Sequence, residues 1–205
     1  MSSITNSTHS SKAKPITAEQ QDYLLNLARQ SIEASMAGFE ATVERLITHE
    51  SISKTLSFDA ATFVTLKKNH QLRGCIGSLE AHQSLPRDVV KNARAAALYD
   101  SRFPPVNDSE LGEIDIEISV LSPPERIDFD STQALFELLQ PNLDGVIIKY
   151  GTHSATFLPQ VWSKLPEKSQ FFAHLKRKAG LSDDIETTEL EVFRYRVDHF
   201  AESKR

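Results

Sequence analysis

No apolar run in this 205-residue sequence approaches the ~18 residues that a membrane-crossing helix requires. Cysteine is nearly missing: Cys75 stands alone. One thiol makes no internal disulfide, and by itself it holds neither an iron–sulfur cluster nor a multi-thiolate zinc. A lone thiol fits a reducing compartment, so a cytoplasmic location is the expectation. The histidines at 9, 49, 70, 82, 153, 174 and 199 form no HxxH or HxxxH pair, and no intrinsic metal is expected. A G-x-S-x-G elbow, a P-loop and a G-x-G-x-x-G turn are all absent, which leaves no cofactor motif and no local trace of serine–histidine–acid catalysis. The net charge of −5 argues against non-specific nucleic-acid binding, which rests on neutralised phosphates. Residues 1–16 are rich in Ser and Thr, lack an apolar h-region, and read as a disordered tail rather than a secretory signal.

What is present reads as alternating helices and strands. Thr17 with Gln20 forms a capping-box pattern, and Leu24, Leu27, Ala28, Ile32 and Met36 recur at helical spacing behind it. Gly38 interrupts, a shorter helical stretch runs to Ile47, and residues 49–57 read as loop. Residues 61–66 are a strand by propensity, and Lys68-Asn69-His70 turns it into a second strand over residues 71–78. Ser84 caps a helix through Tyr99 whose face is Ala-rich; residues 100–108 form a loop carrying Arg102. Residues 113–121 are the clearest strand: Ile114, Ile116, Ile118 and Val120 take one face, Asp115, Glu117 and Ser119 the other. A short helix from Ser131, a hairpin over residues 146–158, a helix from Pro159 to Leu165, another from Glu167 to Ala179, and a final strand from Leu190 to Phe200 complete the reading. Tight turns between strands favour a mixed, largely antiparallel α+β fold, without repeat or interdomain linker.

The turn Leu72-Arg73-Gly74-Cys75-Ile76-Gly77 carries the most chemistry. In extended backbone Arg73 and Cys75 point the same way, and a guanidinium beside a thiol favours the nucleophilic thiolate. Gly74 and Gly77 mark a bulge or a place where a ligand or another backbone comes close. Two plainer readings compete. Cys75 is a small core residue beneath the Ala-rich helix, and Arg73 is paired with a carboxylate such as Glu117 or Asp115. Glu117 is a candidate general base on a strand face that is more commonly just solvated. The basic run from Lys164 to Lys178 is followed at once by acidic residues, and reads as a solvated helix with Phe171, Phe172 and Leu175 turned to the core.

Phe63-Val64-Thr65-Leu66 followed by Leu72-Arg73-Gly74-Cys75-Ile76-Gly77-Ser78 resembles the signature of the AMMECR domain family, whose bacterial and archaeal members include protein A of the AmmeMemoRadiSam system. Matching blocks continue in order through Ser101-Arg102-Phe103-Pro104-Pro105, Ile116-Glu117-Ile118-Ser119-Val120, Asp144-Gly145-Val146-Ile147, Thr156-Phe157-Leu158-Pro159 and Val192-Phe193-Arg194-Tyr195. The resemblance implies one α+β domain over residues 17–200, with two unequal lobes, the larger built from both chain ends, and a cleft between them. It also implies a modification pathway shared with a Memo-like protein and a radical SAM protein. In that reading Arg73, Gly74, Cys75 and Gly77 floor the cleft, Arg102 and Glu117 wall it, and Cys75 holds or attacks a substrate. The alternative is a non-enzymatic adapter or binding module, in one variant for nucleic acid, with a structural cysteine.

Overall fold

A computed structural model describes residues 15–39, 45, 47 and 55–202. The expected tail lies outside the described residues as far as residue 14, and so do most of the helical stretch before Ile47 and of the loop over residues 49–57. Ile16 is buried in the first core.

Among the described residues, eight strands form two antiparallel sheets of four. In chain order the regular elements are α1 (Ala18–Met36), β1 (Ala61–Lys68), β2 (Gln71–Gly77), α2 (Leu85–Leu98), α3 (Asp108–Leu111), β3 (Ile114–Leu121), β4 (Glu125–Ile127), α4 (Thr132–Leu138), β5 (Gly145–Tyr150), β6 (His153–Phe157), α5 (Lys168–Lys178), β7 (Glu191–Tyr195) and β8 (Val197–Ala201). The fold is the expected mixed α+β. Sheet 1 has the order β2-β1-β3-β8, sheet 2 the order β4-β7-β5-β6.

The capping box at Thr17 and Gln20 is present, and α1 buries Leu24, Leu27, Ala28, Ser31 and Ile32. α1 and α2 cover one face of sheet 1, where Val64, Leu66, Ile116 and Ile118 are fully buried. The predicted alternation of β3 holds: Ile114, Ile116 and Ile118 enter that core, whereas Asp115 and Glu117 stay half-buried on the other face. α2 is pinned through Asp88 in its first turn. The buried carboxylate accepts from the Thr62 amide and hydroxyl, Ser78, Gln83 and Asn92, at 2.7–3.0 Å. Five donors, and the positive end of the helix dipole, replace the water that burial strips from the charge.

A second core lies between sheet 2 and the elements α4 and α5. Trp162 stacks on Phe171 with ring centroids 3.6 Å apart, and its Nε1 donates to the Asp144 carbonyl at 2.7 Å. Between the sheets lies a smaller apolar layer of Ala61 and Leu121 against Ile147 and Tyr195, with Phe63, Phe193 and Val197 beside it.

Two expectations need correction. The helix expected from Pro159 to Leu165 is a 3-10 turn, Pro159–Ser163. The single strand expected from Leu190 to Phe200 is two strands in different sheets, β7 in sheet 2 and β8 in sheet 1. Arg196 is the crossing point. Its amide donates to Ser122 Oγ at 2.9 Å, its carbonyl accepts from the Ser122 amide at 2.9 Å, and its Nε lies 3.1 Å from the buried Asp144 carboxylate. An unbroken period-two pattern does not reveal that a strand changes partners midway.

Candidate functional site

β2 is an edge strand, and its unpaired side meets the loop that follows α2. Asp100 Oδ2 accepts the Cys75 amide at 2.9 Å, and Arg102 Nη2 donates to the Cys75 carbonyl at 3.0 Å. Asp100 and Arg102 are themselves joined, Nη2 to Oδ2 at 2.6 Å and Nε to Oδ1 at 2.9 Å. The pair stands in for a missing neighbour strand at one residue only, and fixes Cys75 at both of its edge groups. The Arg102 hydrogen bond, reinforced by backbone amides, holds the Asp100 carboxyl well below the usual carboxylate range. Asp100, and then the Cys75 side chain, hold Arg102 charged.

The thiol itself faces away from α2. A Cβ on Gly74 would stand 2.2 Å from the Ala96 carbonyl oxygen, so Gly74 is the residue beneath the helix. Alternation then turns Cys75 to the opposite face, where Thr65 Oγ1 donates to its sulfur at 3.2 Å. Cys75 is half-buried there, and the reading that made it a core residue beneath the helix does not describe its position. The space over Gly77 is also taken: a Cβ would lie 2.3 Å from the Phe63 ring. Gly74 therefore admits another backbone and Gly77 an aromatic ring.

Arg73 and Cys75 do not share partners. The register of β1 and β2 slips between Leu66 and Lys67, leaving Arg73 as an extra residue in a bulge. A bulge breaks the two-residue alternation that would set Arg73 beside the thiol. Both hydrogen bonds of Arg73 go to Glu110 of α3, at 2.7 and 3.3 Å, and that bonding lowers the Glu110 pKa. The carboxylate paired with Arg73 is thus Glu110, not Glu117 or Asp115.

Glu117 lies in the same cross-strand row as Cys75, with Thr65 between them. It pairs with Lys67 at 2.6 Å and approaches His199 Nε2 at 4.0 Å, while His199 Nδ1 lies 3.3 Å from Ser119 Oγ. Sheet 1 thus presents, on the face opposite its helices, a polar floor of Cys75, Thr65, Lys67, Glu117, Ser119 and His199. Such a floor supplies a thiol, a carboxylate and an imidazole that can exchange protons with a bound molecule. Asp100, Lys67, Ser119 and His199 escaped sequence reasoning. The only local signal for Asp100 was its place two residues before Arg102, and the others needed the strand register. Among the described residues, no group of three or more His, Cys, Asp or Glu side chains is arranged to hold a metal ion.

The AMMECR1 sequence profile matches residues 25–200. The chain belongs to the AMMECR1 family. A protein of Methanothermobacter thermautotrophicus is 33% identical over 193 residues, covering 93% of this chain and 98% of its own. A Thermococcus onnurineus protein is 36% identical over 196 residues, covering 91% and 92%. The crystal structure of an uncharacterized protein from Pyrococcus horikoshii superposes with a TM-score of 0.73 at 29% identity, covering 91% of this chain and 93% of that one. The profile spans the whole polar floor and the Asp100–Arg102 pair, so the AMMECR1 region contains every site residue named above.

Proposed function

We propose that this AMMECR1-family protein works through Cys75, as a thiol that holds or attacks a substrate in a cleft between the two sheets, within a modification pathway. The observation that carries this reading is the clasp on Cys75. A buried aspartate and an arginine fix its backbone while the residue, half-buried, turns its thiol to a polar floor. A packing cysteine has no need of such positioning, whereas a reacting atom does. Arg102 takes the part of anion-binding group, and its side chain is 53% exposed. Arg73, engaged by Glu110, supports the turn. Glu117 is the candidate proton acceptor. A Memo-like protein and a radical SAM protein are the proposed partners, and a reducing cytoplasm the proposed location.

The test is alkylation of the sole cysteine by iodoacetamide, in native and in urea-unfolded protein. We expect the native thiol to react at a rate comparable to, or above, that of the unfolded chain. A thiol that resists until the chain unfolds would retire the reading. Cells lacking the wild-type copy should then lose pathway output with Cys75→Ser.

A second reading, a binding module without chemistry, is favoured by the exposed Tyr99 beside Asp100 and the exposed Leu72 on β2. Its nucleic-acid variant has less support. Lys176 and Lys178 of the basic helix donate to the carbonyls of Ile185 and Thr156, at 2.9 and 3.0 Å, and so serve the fold.

A further inference from the structure

Beyond the end of β2, a hollow of about 680 Å³ is lined by sheet 2, by the loop that follows β2 and by Pro124. That lies within the roughly 300–1,000 Å³ of small-molecule sites. Its wall on sheet 2 is the face turned away from α5. Ile147 of β5 stands opposite Phe193 of β7, and Leu79 and Pro124 extend the apolar surface. Leu79 is exposed at 37%, an apolar side chain on the lining of the hollow. Lys149 projects into this surface. Lys149 Nζ lies 5.4 Å from the centre of the Phe193 ring and 3.7 Å from Glu80. The Glu80 side chain is 64% exposed and also approaches His82, at 3.4 Å. A long, exposed ion pair of this kind contributes little, so an incoming anion displaces Glu80 at low cost. Glu191, opposite Lys149 in the ladder, is engaged by Arg126 at 3.2 Å. Ser154 pairs with Lys149 across β5 and β6 and adds a hydroxyl to the lining.

We infer that this hollow binds an aromatic or otherwise apolar molecule carrying one anionic group, the anion on Lys149 and the body against Phe193, Ile147 and Leu79. Resting on the thiol reading above, it is the subsite that holds the body of the molecule presented to Cys75. Ser78, which lines the hollow, follows Cys75 by three residues, about 10 Å along an extended strand. The ligand therefore needs a reactive arm of about that length.

Two probes separate the parts. The first is 8-anilinonaphthalene-1-sulfonate, titrated by fluorescence against the folded full chain, beside the uncharged N-phenyl-1-naphthylamine. Saturable sulfonate binding is expected, weakened about fivefold or more by Lys149→Gln and tightened by Glu80→Gln, with the uncharged analogue responding to neither. Binding that is absent, or indifferent to Lys149, overturns the site. The second is an iodoacetamide carrying a naphthalenesulfonate on a linker of about 10 Å, compared with plain iodoacetamide. The Cys75 sulfur displaces iodide from either reagent, forming a thioether and releasing a proton. The expected result is a rate advantage for the sulfonate reagent that saturates with concentration and collapses in Lys149→Gln. Equal rates for the two reagents at a reactive thiol would sever the hollow from Cys75 and overturn the subsite. A thiol inert to both, with Lys149-dependent sulfonate binding intact, would remove the thiol reading and leave the hollow as a ligand site.

Discussion

Asp100 Oδ2 accepts the backbone amide of Cys75 at 2.9 Å, and it does so from the loop after α2 rather than from a neighbouring strand. A side-chain carboxylate thus closes the edge of sheet 1 at the one residue whose side chain carries a thiol. Removing it in Asp100→Ala leaves the part-buried Cys75 amide without its acceptor and Arg102 without its carboxylate partner. The expected cost is about 1–3 kcal/mol, read from urea unfolding at neutral pH.

The same carboxylate makes stability depend on acid. Arg102 lowers the pKa of Asp100, and Arg73 that of Glu110, below their values in the unfolded chain. The unfolded state therefore takes up protons first as pH falls. The stabilisation from both groups is complete above about pH 5 and is lost from about pH 4 downward, since unfolded carboxylates titrate near 3.9–4.3. Urea midpoints measured from pH 7 to pH 3 should fall less steeply in Asp100→Asn than in wild type. Parallel curves would count against the coupling.

Arg73 and Arg102 should separate under mutation. Arg73 and Glu110 are only 12% and 11% exposed, so Arg73→Ala strands a largely buried carboxylate, with an expected loss of roughly 3 kcal/mol. Arg102→Ala, at a more exposed site, should cost less stability but slow Cys75 alkylation at neutral pH severalfold, because the cation beside the sulfur is gone. A slower rate in Arg73→Ala with an unaltered rate in Arg102→Ala would reverse the assignment.

Gly74→Ala should destabilise by about 1–3 kcal/mol through collision with the Ala96 carbonyl oxygen. Gly112→Ala is the matched control. Nothing lies within 4 Å of a Cβ there, and the backbone is right-handed helical at φ −69°. Its thermal midpoint should stay at or slightly above that of wild type.

The amine-to-carbonyl bonds of Lys176 and Lys178 predict a loss of stability, not of nucleic-acid affinity, on neutralisation. Each Lys→Gln change should lower the unfolding free energy read from urea titration by about 1 kcal/mol. Any RNA association should show little dependence on salt.

Helix α1 and strand β3 were legible because each is governed by its own period: 3.6 with a capping box at Thr17, and 2 along Ile114 to Val120. The sites depended on pairing, which no single period encodes. Cys75 and Gly74 stood out by type and spacing, and Arg102 through the family resemblance. Arg73 misled because the bulge in β2 is a feature of register, not of residue order. Ser119 and His199 are 80 residues apart and meet only because β8 joins β3. Asp100 looked like an ordinary loop acid, since its partner is a backbone amide that has no signature in sequence.

The strand exchange at Arg196 also dictates when the protein can finish folding. During synthesis β1, β2 and β3 emerge early, but the strand that covers the open side of β3 is made only after every strand of sheet 2. Until then the nascent chain exposes a bare hydrogen-bonding edge on β3, next to Glu117 and Ser119. The first half of the molecule cannot mature on the ribosome alone. The Ser119–His199 end of the polar floor is assembled last, by the segment that has just completed the other sheet.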